Sequence, residues 1–273
     1  MDMPVTFKRM VLGLPHSAID YGSVTFAAEL ADLLGLDLIG IFAEDDRLMD
    51  LAVLPCVREF RLSGDGWHRL DAAQLERSSN QMAAEARRLF GDAVKALRIG
   101  TRFDLLKGQI AEAIGSQSMA DDILAVIMPR NPAERVTYQF RQLLNAALSR
   151  PGATLVVPSR ISRRRGPIVV IAGNEHDTSA EVGLRLARAA QERLIVLTPA
   201  GANEPMPAPP IAGMAAVDWR STRSSQIGLP ELSSLLALTA ERLVVLSRAV
   251  DVNLASQLAS ERGVPVLLTG RRA

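Results

Sequence analysis

Cysteine is almost missing from this chain: Cys56 is the only one among 273 residues. A disulfide framework and a cysteine-built metal cluster are both excluded. Lysine is nearly as scarce, with Lys8, Lys95 and Lys107 alone, so arginine carries most of the positive charge. Apolar runs are short. None approaches the roughly 18–20 residues that span a bilayer. No N-terminal stretch has a basic start followed by an apolar core of signal-peptide length. The expectation is a cytoplasmic protein. An excess of either charge is missing too: the formal net charge is +1, which points to neither nucleic acid nor a membrane as partner. Enzyme signatures are also lacking. There is no P-loop, no Gly-x-Ser-x-Gly elbow, no His-Glu-x-x-His zinc helix and no Ser-Gly-Gly-x-Asp-Ser run. Catalysis is therefore the less favoured class, without being settled by motifs.

What the chain does have is core. Hydrophobic residues make up 48% and charged residues 22%, the balance of a soluble protein with a large interior. Its organising stretch is Lys8–Glu44. Met10–Leu14 is a short apolar run, Val24, Ala27, Ala28, Ala31 and Leu34 recur at helical spacing, Gly35 stops the helix, and Leu38–Phe42 is a second apolar run. Short apolar runs joined by a helix-period segment describe a parallel βαβ unit buried on both faces. The same order returns at Ile168–Ala200.

Further along, Arg47 to Asp71 has poor periodicity and reads as a lid or irregular excursion. Leu75–Leu97 is the longest helical pattern. Strands are predicted at Thr101–Leu106, Ile123–Met128 and Thr154–Val157, a loop at Pro129 to Pro132, and a helix at Val136–Leu148. Ser159–Gly166, with Arg160, Arg163, Arg164 and Arg165, reads as a solvated linker. The second half is predicted to alternate strands (168–172, 194–197, 214–219, 243–246, 264–268) with helices (177–192, 229–238, 252–262). First strands of the two halves lie about 158 residues apart and last strands about 111. The difference falls where the second half has no counterpart of Leu75–Leu97. The expected organisation is a first domain at 1–158, a linker at 159–166, and a shortened second domain at 167–273.

This order of elements resembles a tandem universal stress protein. Beside the repeated opening unit, two stretches carry the resemblance. Lys107-Gly108-Gln109-Ile110-Ala111-Glu112-Ala113-Ile114 is similar to that family's turn from strand three into a helix. Asp122–Pro129 followed by Pro151-Gly152-Ala153-Thr154-Leu155-Val156-Val157 is similar to its last two strands. The resemblance implies two Rossmann-like, doubly wound parallel sheets of order 3-2-1-4-5. Their final strands, Thr154–Val157 and Val264–Leu268, would pair antiparallel as an intramolecular pseudo-dimer.

Many members of that family bind ATP outside the carboxyl ends of the strands. They use an aspartate after strand one and a glycine-rich run after strand four. This chain has Gly13-Leu14-Pro15-His16 and Pro129-Arg130-Asn131-Pro132-Ala133-Glu134-Arg135 at those places, with no aspartate and no glycine cradle. The leading expectation is a non-enzymatic stress-response or regulatory protein with a degenerate nucleotide site. It would need no cofactor, and its protein partners are unknown. The alternative is a sensor that binds ATP or AMP in the first-half cleft, through Gly13, Leu14, Pro15, His16, Ser17, Phe42, Ala43, Glu44, Pro129, Arg130, Asn131, Arg135 and Arg141. There the arginines would replace backbone donors. An adenine-nucleotide hydrolase is a weaker alternative, and association of two chains into a homodimer stays open. No catalytic or metal-ligating set stands out. His16 and His176 lack metal-spaced companions. Glu44-Asp45-Asp46 reads as solvated acids, and Trp67 and Trp219 as core or lid aromatics.

Overall fold

The computed structural model describes residues 7–14, 20–44, 46–61, 66–172, 178–198, 217–221, 228–248 and 252–269. The first half runs β1 (Arg9–Leu14), α1 (Tyr21–Leu34), β2 (Asp37–Glu44), α2 (Asp46–Val53), β3 (Arg58–Arg61), β4 (Gly66–Arg69), α3 (Ala72–Val94), β5 (Thr101–Lys107), α4 (Ile110–Gln117), β6 (Asp122–Ile127), α5 (Pro132–Arg135), α6 (Tyr138–Ser149) and β7 (Ala153–Val157). The second half runs β8 (Ile168–Ile171), α7 (Thr178–Ala190), β9 (Leu194–Thr198), β10 (Val217–Ser221), α8 (Leu229–Leu236), β11 (Leu243–Ser247), α9 (Val252–Arg262) and β12 (Val266–Thr269).

Ten of these strands form one sheet, ordered β10-β9-β8-β11-β12-β7-β6-β1-β2-β5. Every neighbouring pair is parallel except at the centre. There β7 and β12 run antiparallel, with Val156 opposite Val266 and Leu155 opposite Leu267. Each half taken alone has the order 3-2-1-4-5, and the seam between them is made within one chain. Apolar strands alternate their side chains between two cores. Met10, Leu12, Leu14 and Phe42 lie under α1, α3 and α7. Val11, Ile41, Ala43 and Val126 lie under α4, α6, α8 and α9. Both cores run through both halves, as continuously apolar strands require for a sheet covered on both faces.

Helix starts follow local chemistry. Asp20 caps α1 by accepting the Ser23 N–H at 3.1 Å. Asp71 caps α3 by accepting the Ala73 and Gln74 N–H groups. Gly35 closes α1 at φ 66°, where a β-carbon is disfavoured.

Three expectations are corrected. The segment after β2 is not irregular: it forms α2 and a separate antiparallel hairpin, β3 with β4. Its strands carry charged residues on both sides, so no apolar run announces them. Helix α6 begins at Tyr138 rather than Val136, after the separate turn α5. The linker is solvated only in part: Arg160, Arg164 and Arg165 are exposed, whereas Arg163 is partly buried. Ser162 N donates to Gly263 O at 2.8 Å, Arg164 pairs with Glu29 at 3.2 Å, and Gly166 N donates to the Glu192 carboxylate at 3.1 Å. The stretch where the second copy was expected to lack a counterpart of Leu75–Leu97, residues 199–216, lies outside the described residues. No helix among the described residues is long and apolar enough to cross a membrane.

Candidate functional site

The cleft predicted to hold a ligand lies where β1 and β6 end and the chain leaves for α1 and α5. Pro15, His16 and Ser17 are outside the described residues, as are Asp45 and His176. Of the others, Leu14 and Phe42 are buried in one core and Ala43 in the other. Gly13 is buried under α4: a methyl group there would sit 2.5 Å from Ile114 Cδ1. The floor of the cleft at β1 is thus filled by an isoleucine side chain. Glu44 is half-buried, and its carbonyl accepts the Gly108 N–H at 2.8 Å.

The stretch after β6 decides what the cleft can do. Pro129 is buried and Pro132 occupies the first turn of α5, so neither offers a backbone donor. Asn131 Oδ1 accepts the Ala133 N–H at 3.0 Å. The Asn131 carbonyl accepts the Glu134 N–H at 3.0 Å. At the start of α6, Thr137 Oγ1 faces the Phe140 N–H at 3.4 Å. The free N–H groups that make a helix start attract phosphate are therefore partly consumed by the chain's own caps.

The three arginines proposed as phosphate ligands separate. Arg135 turns away to hold the fold. Its Nε donates to the Pro129 carbonyl at 2.9 Å and one terminal nitrogen to Ser159 Oγ at 3.1 Å. Its other terminal nitrogen donates to Ser260 Oγ on α9 of the second half. Arg130 and Arg141 are exposed, and among the described residues their guanidinium groups have no hydrogen-bond or ion-pair partner. Only these two remain available to an anion.

The sequence reading missed the counterpart in the second half. Arg248 directly follows β11, in the position that Met128 holds after β6: Met128 N donates to the Val157 carbonyl and Arg248 N to the Thr269 carbonyl. Arg248 is buried and crosses the seam. Its guanidinium donates to Thr154 Oγ1 at 3.0 Å and reaches the Leu148 and Arg150 carbonyls at the end of α6. Each half thus sends an arginine to the C-terminal part of the other half's last helix, where cations are favoured. Aligning the two halves residue by residue offered the available signal, a charge standing where its counterpart is apolar.

A second buried charge cluster lies in the second half. Glu241 accepts from Arg262 at 2.8 and 3.1 Å and from Thr239 at 2.7 Å. Burial alone would push this carboxyl up, but the hydrogen bonds from Arg262 and Thr239 outweigh it and hold the pKa below its ordinary value. A groove of about 550 Å³ opens between α4 and α6, lined in part by Glu112, Gln142, Asn145 and Arg150. None of the ten predicted ligand residues that are described lines it. Among the described residues, no cluster of three or more His, Cys, Asp or Glu could hold a metal ion.

Comparison with solved structures agrees with the architecture. A universal stress protein from Archaeoglobus fulgidus DSM 4304 superposes with a TM-score of 0.65 at 10% identity, covering 98% of each chain. A protein of unknown function from Pseudomonas aeruginosa PAO1 superposes with a TM-score of 0.52 at 12% identity, covering 97% of this chain and 93% of the other. No protein-family model and no curated protein matches the sequence. The chain has the fold of a tandem universal stress protein.

Proposed function

We propose that this chain is a non-enzymatic regulatory protein of the universal stress type, made of a first domain at 1–158 and a second at 167–273. Its nucleotide cleft is degenerate, and its working surface is given over to protein contacts. One observation carries the reading. Where a phosphate cradle would stand after β6, the stretch has no glycine, its helix starts are capped by Asn131 and Thr137, and Arg135 is committed to Pro129, Ser159 and Ser260.

Calorimetry with ATP, ADP and AMP tests it. The expected result is no heat of binding up to millimolar nucleotide, and no nucleotide in mass spectra of the purified protein. The exposed guanidinium groups of Arg130 and Arg141, without a partner among the described residues, favour the second reading, a sensor of adenine nucleotides. Micromolar binding that Arg130→Ala weakens tenfold would establish that reading instead. Release of phosphate or AMP would make the protein a hydrolase.

A further inference from the structure

The hairpin β3–β4 stands apart from the main sheet and pairs, among the described residues, only with itself. Its register sets Arg58 opposite Arg69 and Phe60 opposite Trp67. Residues two apart on a strand share a face, so these four side chains form one surface. All four are exposed, whereas Glu59 and His68 on the reverse are partly buried. Phe60 is 56% and Trp67 66% exposed, in a chain with only 4% aromatic residues. The two rings meet edge-to-face at 5.4 Å. Arg58 and Arg69 form no ion pair with the described residues.

Like charges directly opposite on a hairpin repel, and a two-stranded ribbon is barely stable alone and exposes two unpaired edges. An arginine pair beside an open Phe–Trp pair has the composition of an interface hot spot. We propose that this face docks an extended acidic segment of a partner protein, added as a third strand. An acidic residue would sit against the arginines, and an apolar residue two positions on would sit against Phe60 and Trp67. The proposal rests on the reading that the protein works through protein contacts, and it names the surface.

Other occupants fit less well. Rings closed edge-to-face leave no slot for a stacked base, and a net charge of +1 supplies no basic field for nucleic acid. Two arginines fall short of the cluster of about four to eight basic residues that holds a segment to an anionic bilayer.

Trp67 is its own reporter. In the full chain carrying Trp219→Phe, Trp67 is the sole tryptophan. The probe is the peptide Thr-Glu-Thr-Leu-Thr-Glu-Thr, compared with the same peptide bearing Lys for Glu. The Glu peptide should shift Trp67 emission to the blue and bind at least tenfold tighter than the Lys peptide. Arg58→Glu with Arg69→Glu should reverse that preference, an inversion that a purely structural role would not produce. If the double variant fails to fold, the two peptides on the parent chain decide the matter. Equal binding of both, no shift at millimolar Glu peptide, or tighter binding of oligo(dT) or phosphatidylserine vesicles overturns the proposal. So does burial of Trp67 by self-association in sedimentation. A failed peptide test with no nucleotide heat overturns the docking face alone. Nucleotide heat overturns the broader reading.

Discussion

Arg130 and Arg135 are five positions apart and lead different lives. Arg135→Ala removes hydrogen bonds to Pro129, Ser159 and Ser260 and should cost about 1–2 kcal/mol. Arg130→Ala removes an exposed side chain and should stay within about 0.5 kcal/mol of the parent. Urea denaturation of the two variants separates them. Neighbouring arginines on a loop invite grouping as one anion site. What distinguishes them is a serine 125 residues further on, which no local pattern encodes. Glu241 makes the same point through charge. Glu241→Gln leaves Arg262 half-buried without its anion and should cost about 3 kcal/mol at neutral pH. The folded-state pKa of Glu241 is depressed. Its contribution is therefore fully present above the unfolded glutamate value, about 4.3, and is lost as pH falls through the lower folded value. Melting curves between pH 7 and 3 should show a shallower acid decline in the Gln variant.

Elements were legible in proportion to their apolar content. Apart from the two edge strands β5 and β10, the strands of the main sheet are short apolar runs, and α1 announces itself by spacing and by Gly35. The hairpin β3–β4 was hidden because Arg58, Glu59, His68 and Arg69 give neither alternation nor a run. In α7, Ser179, Val182, Gly183, Leu186 and Ala187 are buried, and Ala180 and Leu184 pack beside them against the same core. Gly183 lets the helix lie so close on β8 that a methyl group would collide with Val170 Cγ2. Gly183→Ala raises helix propensity by up to about 1 kcal/mol, but overpacking costs about 1–3 kcal/mol, so the variant should be less stable. Val170→Ala in the same chain should recover part of the loss, as read by thermal melts. At α6, Thr137→Ala should cost about 1 kcal/mol through loss of its cap.

At the scale of the molecule, the strand order and the central antiparallel seam follow from the resemblance of the repeated unit to universal stress proteins. The arginines that cross between the halves do not, because repetition predicts sameness, whereas Arg248 stands where Met128 stands in the first half. A chain ending at residue 158 would leave β7, with Thr154, Leu155 and Val156, as an apolar open edge. Sedimentation of that fragment should find dimers or larger species, whereas adding charge at the edge by Leu155→Lys should suppress them. In the intact chain the seam has a further consequence, which is kinetic and ecological rather than structural. Two separate subunits part when their concentration falls below the dissociation constant. Halves tethered by a short linker see one another at an effective concentration in the millimolar range. Pairing of β7 with β12 is therefore indifferent to dilution, holds at a few copies per cell, and does not trade halves with other proteins of the same fold.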